Sequence, residues 1–374
     1  MSRIIVLGAG MVGSAIAKDL SKNHHVTAID NNPEALKIGD GNDNLFVQQA
    51  DLSKPKVIKS IVDDYDIVVG AVPGFMGFET LKAVIEAGKN VIDISFFPED
   101  PFELDELAKS KNVTAVMDCG VAPGVSNLII GHHSKLMDLN NFECYVGGLP
   151  KNKVPPFEYK APFSPIDVIE EYTRPARFVE NGVVVIKEAL SGPEIINLPP
   201  VGDLQAFNTD GLRSLITTIK CENMKEKTLR YPGHIDKIKI LQQAGFFSQE
   251  PMPFGDSTVK PIDMTARVLF DQWALQPEEE EFTIMKIIVE GLENGITKKY
   301  EYDLFDEYDS ITKTSSMART TGYTCTAVAN LVLESKYETK GISPPEYIGM
   351  HEGCLDYIME YLSARGINYH QREA

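Results

Sequence analysis

Cysteine is scarce in this 374-residue sequence. The cysteines form no C-x-x-C pair and their number is odd: Cys119, Cys144, Cys221, Cys325 and Cys354. A structural zinc site needs clustered thiolates, and a disulfide framework needs an even set with regular spacing. We therefore expect no bound metal and a reduced, cytoplasmic setting.

Long apolar runs and an excess of basic residues are also missing. No segment approaches the roughly 18 uninterrupted apolar residues of a membrane span. The first predicted strand begins at Ile4, which leaves no room for a signal peptide. With 36 Lys and Arg against 54 Asp and Glu, the net charge of −18 argues against a nucleic-acid partner. This charge suits a cationic small substrate, but acidic soluble proteins in general have it too.

The length indicates two domains. Strand and helix patterns alternate up to about residue 117, with six short apolar strands, which predicts an α/β fold with a doubly wound, parallel Rossmann sheet. From about residue 140 to 310 the strands are longer, and Asn181-Gly182 and Asn294-Gly295 each mark a turn between strands. A second, α+β domain with a mixed or antiparallel sheet follows. Two closing helices are predicted, at about 315–333 and 345–364. The predicted domains are 1–120, 121–335 and a C-terminal helix within 336–374 that returns towards the first domain.

The stretch from Ile4 to Asp30 has the full dinucleotide-binding pattern: a strand, a G-x-G-x-x-G turn, a helix, and a second strand that ends in an acidic residue. The glycines allow a tight turn and close approach of a pyrophosphate to the helix N-terminus. Asp30 would accept hydrogen bonds from both ribose hydroxyls and repel a 2′-phosphate, so we predict NAD as the cofactor. The predicted binding residues here are Gly8, Gly10, Met11, Val12, Gly13, Asp30 and Asn31.

Ligands of such a sheet lie beyond the carboxyl ends of its strands. Asp51, after the third predicted strand, either accepts from the adenine amino group or caps the next helix. Small residues after the fourth strand would let the backbone approach the nicotinamide ribose. One of Asp93 and Asp118, after the fifth and sixth strands, is expected to point inward. The further cofactor-binding candidates are therefore Asp51, Ala71, Val72, Pro73, Ser95 and Asp118.

Several later segments resemble the saccharopine dehydrogenase superfamily, and within it the L-lysine 6-dehydrogenase branch. The motifs that carry the resemblance span nearly the whole chain: Asp118–Asn127, Tyr145–Pro150, Tyr159-Lys160 with Phe163–Pro165, Phe207–Leu212, Thr228–His234 and Met317–Gly322. The resemblance implies a homo-oligomer, a dimer or a tetramer, whose second domain supplies the substrate pocket and the subunit contact.

Departures from the saccharopine reductase pattern decide the branch. Ala122 stands where those enzymes carry an acidic residue, and Thr209 stands where they carry an arginine. That arginine would suit the extra glutarate carboxylate of saccharopine. Its loss favours free lysine as the substrate. The resemblance thus implies transfer of a hydride from the ε-carbon to NAD, hydrolysis of the imine to the semialdehyde, and cyclisation.

This chemistry needs a base for the ε-ammonium and a group that holds the far carboxylate. Arg230 is the preferred carboxylate-binding residue, and Arg213 is the second choice, with pairing to Asp210 as its other role. His234 is the preferred base, with Asp118 and Glu158 as alternatives, and Lys160 either binds a carboxylate or shuttles protons. The predicted catalytic residues are His234, Asp118 and Lys160; the predicted substrate-binding residues are Arg230, Tyr159, Glu158, Thr209 and Arg213.

Two other functions stay open. A saccharopine or carboxynorspermidine-type reductase would use the same scaffold with a longer, more cationic pocket. A non-catalytic NAD-binding sensor would keep the first domain and lose the substrate site, but the intact segment from Arg230 to His234 argues against it.

Overall fold

The computed structural model describes residues 1–38, 41–161, 165–276 and 279–373. The chain divides into two compact units. Unit 1 comprises Met1–Asp138, Thr217–Ile219 and Met317–Tyr369, and unit 2 comprises Leu139–Ile216, Lys220–Ser316 and His370–Ala374. This division differs from the predicted domains, because residues 121–138 and 317–335 fall in unit 1.

The strands follow one another along the chain as β1 (Arg3–Leu7), β2 (His25–Asp30), β3 (Leu45–Gln49), β4 (Ile67–Gly70), β5 (Val91–Asp93), β6 (Thr114–Val116), β7 (Asp138–Pro150), β8 (Ala176–Glu180), β9 (Val183–Lys187), β10 (Glu194–Leu198), β11 (Gly202–Asn208), β12 (Asn223–Arg230), β13 (Met252–Phe254), β14 (Ser257–Val259), β15 (Glu281–Glu293), β16 (Ile296–Glu307), β17 (Gly341–Ser343) and β18 (Tyr369–Glu373).

The helices are α1 (Met11–Leu20), α2 (Pro55–Ile61), α3 (Gly74–Glu86), α4 (Asp105–Ser110), α5 (Val125–Ser134), α6 (Pro165–Thr173), α7 (Leu215–Thr218), α8 (His234–Gln243), α9 (Pro261–Trp273), α10 (Ser316–Leu333), α11 (Pro345–Gly349) and α12 (Cys354–Ser363). A short 3₁₀ helix, Pro101–Leu104, precedes α4.

Unit 1 contains a parallel sheet in the order β17-β6-β5-β4-β1-β2-β3. The predicted doubly wound parallel sheet is confirmed, and its six predicted strands are all present. The sheet has a seventh strand, β17, which the sequence pattern did not predict. It is only three residues long and begins with a glycine, so it shows no periodicity. The strands form an apolar core with the helices, in which Ile5, Val68 and Val84 are fully buried.

Two predicted helices of unit 1 have different bounds in the structure. The sequence pattern predicts a helix at about 78–87, whereas α3 begins at Gly74, with Pro73 as its N-cap. The single closing helix predicted for 345–364 is wrong. It is divided into α11 and α12, since Gly353 has a φ of +76° and lies outside the helical region.

Unit 2 contains a nine-stranded sheet with the main order β10-β11-β12-β7-β15-β16-β18, and β8 and β9 branch from β12. Strands β12 and β7 are parallel, whereas β10/β11, β11/β12, β8/β9 and β15/β16 are antiparallel. Of the two predicted alternatives, a mixed or an antiparallel sheet, the sheet is the mixed one, and both hairpins are present. The Asn-Gly pairs form their turns, with Asn181 and Asn294 at φ of +52°. Strands β10 to β14 and helix α9 were not predicted.

Within the described ranges, no helix has the length and apolar character that crossing a membrane would require. All five cysteines are buried, and no disulfide joins them.

A buried carboxylate on α1 ties the first helix of unit 1 to its last. The side chain of Asp19 is fully buried and lies 2.9 Å from Arg365 Nε. Its Oδ2 also accepts hydrogen bonds from the hydroxyls of Thr326 and Tyr361, both at 2.8 Å. Burial alone would raise the pKa of Asp19, but the charge and hydrogen bonds of Arg365 hold it below its usual range. The carboxylate is therefore ionised and paired.

We expect Asp19→Asn to lower the free energy of unfolding by about 2 kcal/mol at neutral pH, because the charge-assisted pair with Arg365 is lost. A carboxyl group whose pKa is lower in the folded than in the unfolded protein stabilises the fold at pH values above the unfolded pKa, which is near 4. This stabilisation is lost as the pH falls through the pKa of the folded protein. The difference between wild type and variant should therefore shrink below about pH 4. Urea unfolding at several pH values measures it. Glu34→Gln, at an exposed pair with Lys37, is the control and should change stability by less than about 0.5 kcal/mol.

Candidate functional site

The turn between β1 and α1 in unit 1 is too tightly packed for side chains at two of its glycines. Gly8 has a φ of +106°, and a Cβ there would lie 2.3 Å from the Ala71 carbonyl oxygen. A Cβ on Gly13 would lie 2.0 Å from the Gly8 carbonyl oxygen. A Cβ on Gly10 would meet no described atom within 4 Å. The turn therefore brings backbone segments close together and leaves space in front of Gly10.

The residues around this space fit a dinucleotide. Gly10 is the N-cap of α1 and no side chain caps the helix, so the N–H groups of its first turn can meet an anion. Asp30 Oδ2 accepts from the Ala9 N–H at 2.8 Å, and Oδ1 accepts from the Asn32 N–H at 2.9 Å. Each carboxylate oxygen keeps a lone pair for a ribose hydroxyl. Next to this turn, Met11 is exposed, Val12 is half-buried, and the Asn31 carbonyl accepts from Gln49.

The other predicted cofactor residues lie at the ends of neighbouring strands. The Asp51 carboxylate binds the N–H of Ser53 at 3.1 Å and the ammonium of Lys54 at 2.8 Å. The hydrogen bonds from Lys54 and Ser53 lower the pKa of Asp51 to about 2. The carboxylate thus stabilises the turn before α2 but does not cap the helix, because Lys54 is its N-cap and no side chain accepts from its first turn. A contact between Asp51 and adenine stays a prediction. Ala71 and Val72 border Gly8, and Pro73 is the N-cap of α3.

Two buried carboxyl groups lie at the carboxyl ends of β5 and β6. Asp93 Oδ1 accepts from the Ser95 N–H at 2.7 Å. A Cβ on Gly70 would lie 1.9 Å from Asp93 Oδ2, so this glycine makes the space for the carboxyl group. Burial, together with the nearby charge of Asp118, raises the pKa of Asp93 to about 8. Asp118 is also buried and has a left-handed backbone, with a φ of +53°. Both aspartates are therefore inside unit 1.

In unit 2, Arg230 at the end of β12 is the centre of a closed polar cluster. Its side chain is 3% exposed. Nε donates to the Tyr172 hydroxyl at 3.1 Å, Nη1 to the Leu229 carbonyl at 3.0 Å, and Nη2 to the Tyr159 hydroxyl at 3.3 Å. The guanidinium also lies 4.4 Å from the centre of the Tyr159 ring. Burial opposes its charge, but the surrounding tyrosines and Glu171 outweigh it and raise the pKa of Arg230.

Glu171 on α6 accepts a further hydrogen bond from this guanidinium. Its Oε2 lies 2.9 Å from Arg230 Nη2. Its side chain is 23% exposed, so it is the more accessible member of the pair. Burial raises the pKa of Glu171, and the attraction of Arg230 opposes that rise. The guanidinium of Arg230, predicted to bind the substrate carboxylate, therefore already binds the carboxylate of Glu171, a residue that was not predicted.

His234 is the first residue of α8 and is fully buried beneath Arg230 and the tyrosines. Its Nδ1 lies 2.8 Å from the Phe157 carbonyl and its Nε2 lies 2.9 Å from the Tyr172 hydroxyl. Because a carbonyl only accepts, Nδ1 carries the proton, and Nε2 accepts from Tyr172. Burial and the charge of Arg230 lower the pKa of His234 to about 3, against the opposing bond to Phe157. A neutral ring with both nitrogens engaged is poorly suited to the predicted role of base.

Aromatic rings surround this chain of hydrogen bonds. The Trp273 ring centre lies 5.5 Å from that of Tyr159 and 6.1 Å from that of Tyr172. Burial raises the pKa of Tyr172 to about 12 and the pKa of Tyr159 well above its usual value, so both hydroxyls keep their protons. We refer to Arg230, Glu171, Tyr159, Tyr172, His234 and Trp273 as the arginine cluster.

Lys160 and Glu158 flank Tyr159 but direct their charges to other partners. Lys160 Nζ donates to the Ala274 carbonyl at 3.3 Å and lies 3.5 Å from Glu279. Glu158 has a left-handed backbone, with a φ of +50°, and forms an ion pair with Lys237 on α8. Their predicted catalytic and binding roles are untested.

Thr209 and Arg213 lie elsewhere in unit 2. The hydroxyls of Thr209 and Thr228 are 3.0 Å apart, and both residues are buried. Arg213 is buried with a left-handed backbone, at a φ of +52°. Asp210 accepts two hydrogen bonds from Arg177 in a bidentate pair, from Nε to Oδ1 at 2.8 Å and from Nη2 to Oδ2 at 2.9 Å. Arg177 was not predicted as a partner of Asp210, and the pairing of Asp210 with Arg213 stays a prediction.

The structure thus brings Arg230, Tyr159 and His234 together, as their family-like motifs implied. Glu171, Tyr172 and Trp273 were missed. The only sequence signal for Glu171 is its place beside Tyr172 in a predicted helix, which is weak because most helical glutamates face solvent. Phe163 and Ser164, part of the motif around Lys160, lie outside the described residues.

Two family models match the chain. The model of the saccharopine dehydrogenase NADP binding domain matches residues 4–116, and that of the saccharopine dehydrogenase C-terminal domain matches residues 120–367. A solved structure of saccharopine dehydrogenase (L-Glu forming) from Saccharomyces cerevisiae aligns over 100% of both chains, with a TM-score of 0.80 and 17% identity. This likeness supports the fold described above.

Curated relatives carry several different names. The mitochondrial alpha-aminoadipic semialdehyde synthase of Rattus norvegicus is 21% identical over 98% of this chain. The chain spans about half of that relative's length, 47%. The carboxyaminopropylagmatine dehydrogenase of Synechocystis sp. is 20% identical, over 99% of this chain and 98% of the relative.

Proposed function

Because the chain belongs to the saccharopine dehydrogenase family, we propose that this oxidoreductase uses NAD to oxidise the ε-carbon of L-lysine at its C–N bond. The imine would be hydrolysed to the semialdehyde, which cyclises. The observation that carries the choice of lysine is the environment of Thr209. In the motif that saccharopine reductases share with this chain, those enzymes carry an arginine at the position of Thr209. The Thr209 hydroxyl is hydrogen-bonded to that of Thr228 in the protein interior. The position offers no guanidinium for the glutarate carboxylate of saccharopine.

The cofactor residues have defined tasks in this proposal. The uncapped N-terminus of α1 would bind the pyrophosphate, and Asp30 would accept from the ribose hydroxyls. When bound, the nicotinamide supplies the acceptor for a hydride. A carboxylate at Asp30 would also repel a 2′-phosphate, which supports NAD rather than NADP.

The arginine cluster would hold the substrate by its amino-acid end. Arg230 is kept charged and fixed by Tyr159, Tyr172 and Glu171, so it can orient a carboxylate with little loss of side-chain freedom. His234 would serve to position Tyr172 rather than to accept a proton, given its two hydrogen bonds and low pKa. Within unit 2, the carboxylate of Glu158 is then the candidate for receiving the ammonium proton, whereas Lys160, paired with Glu279, would serve as a cation.

A second candidate is a dehydrogenase for a secondary amine of the carboxyaminopropylagmatine or saccharopine type. It is favoured by the relative from Synechocystis sp., which matches this chain over nearly the full length of both. In such a substrate the reacting nitrogen carries a second carbon substituent, whereas in lysine it is a primary ammonium.

One assay separates these candidates. Purified protein is incubated with L-lysine, saccharopine or carboxyaminopropylagmatine, each with NAD and with NADP, and formation of reduced cofactor is followed. We expect turnover with lysine and NAD. Turnover with a secondary amine alone would establish the second candidate, and cofactor binding without turnover of any amine would favour a sensor.

A further inference from the structure

We propose that Glu171 binds the α-ammonium group of the amino-acid substrate, beside the α-carboxylate on Arg230. The inference rests on the proposed function, because it assumes a substrate with an amino-acid head group. Glu171 would then help to determine specificity, because the Arg230–Glu171 pair would bind both charges of a zwitterionic head group.

The hydrogen bonding of Glu171 leaves one of its oxygens available. Oε2 is held 2.9 Å from Arg230 Nη2. Within the described part of the chain, Oε1 accepts no hydrogen bond, although an ionised carboxylate has acceptor sites on both oxygens. A substrate ammonium can therefore donate to Oε1 while the ion pair with Arg230 stays intact.

Arg230 offers a matching donor. Its Nε–H and both Nη2 hydrogens are directed to Tyr172, Tyr159 and Glu171, and one Nη1 hydrogen is directed to the Leu229 carbonyl. A guanidinium has five N–H donors, so one Nη1–H is left without an acceptor among the described residues. A carboxylate bound to that hydrogen would lie near Glu171, whose negative charge would repel it unless the ligand also carried a cation there.

The exposures of the pair agree with this arrangement. The Glu171 side chain is 23% exposed, whereas that of Arg230 is 3% exposed. A ligand that reaches the cluster from solvent would thus meet Glu171 as well as the buried guanidinium. The Tyr159 and Tyr172 rings exclude water from Arg230, and a hydrogen bond between charged groups gains strength as water is excluded.

The test compares L-lysine with ε-aminocaproate, which is lysine without its α-amino group. Calorimetry of the full chain with NADH present gives the dissociation constants, because reduced cofactor forms a complex that cannot oxidise the ligand. We expect Glu171→Gln to weaken lysine binding about 30-fold, within the range of one charge-assisted hydrogen bond. Affinity for ε-aminocaproate should stay the same or rise, since repulsion of its carboxylate is removed.

Glu170→Gln is the matched control, because Glu170 precedes Glu171 on α6 and pairs with Arg174. It should leave both affinities unchanged. The binding stoichiometry reports the fraction of a variant that is folded. The ratio of the dissociation constants for lysine and ε-aminocaproate does not depend on that fraction. Equal weakening of both ligands, or of neither, in Glu171→Gln would overturn the assignment. Failure of the wild type to bind lysine would overturn it together with the proposed function, whereas lysine binding without turnover would refute the proposed function alone.

Discussion

Replacing Arg230 by lysine is expected to lower kcat/KM for the amine substrate by about 10³-fold, because an ammonium cannot reproduce the fork of the guanidinium. Arg230 donates to Tyr159, Tyr172 and Glu171 through nitrogens that lie in one plane. A lysine at this position keeps the charge but loses several of these bonds, each of which contributes about 1.5–3 kcal/mol when a charged group is involved. Steady-state kinetics with the best substrate of the panel measures the loss.

Substituting Arg230 by lysine rather than by alanine separates an effect on substrate recognition from an effect on folding. Arg230→Ala would leave the largely buried Glu171 carboxylate without its partner and so would also lower stability. The conservative variant keeps a cation beside Glu171. Affinity for NAD should be unchanged, because the glycine turn and Asp30 belong to unit 1. Arg267→Lys, at an exposed pair with Asp271, is the control and should retain full activity. A wild-type kcat/KM in Arg230→Lys would remove Arg230 from the mechanism.

Local chemical signals made much of the fold predictable. The glycine turn between β1 and α1 and the Asn-Gly turns of the two hairpins leave few alternative conformations to the backbone. Buried parallel strands such as β4 read as continuous apolar runs. Strand β17 gave no such signal, because its three residues are a strand only through pairing with β6, more than 200 residues earlier in the chain.

The candidate site was less predictable, because its chemistry depends on burial and partners. The sequence identifies His234 as a group with an ordinary pKa near neutrality. Only the structure shows that its two nitrogens meet Tyr172 and the Phe157 carbonyl and that burial lowers its pKa to about 3. The same limit applies to Glu171, whose pairing with Arg230 joins an α6 residue to a strand 59 positions away.

Asp30→Asn is expected to lower the preference for NAD over NADP by about 10²-fold, since it removes both an ionised hydrogen-bond acceptor and the repulsion of a 2′-phosphate. The amide has nearly the same shape as the carboxylate. Its oxygen can still accept from the Ala9 N–H, while the Asn32 N–H is exposed and can turn to water. The loss should therefore appear in cofactor choice rather than in folding. Titration of each variant with NAD and NADP gives the two dissociation constants.

Asp51→Asn is the control, because Asp51 also follows a strand of the same sheet but binds Ser53 and Lys54. If Asp51 contacts the adenine, its replacement weakens NAD and NADP alike and leaves their ratio unchanged. The matching family model describes an NADP binding domain, so the wild-type ratio is itself informative. A wild type that prefers NADP would contradict the electrostatic argument, because Asp30 would then have to tolerate a phosphate beside its carboxylate. A preference for NAD that disappears in Asp30→Asn would assign the choice of cofactor to this one side chain.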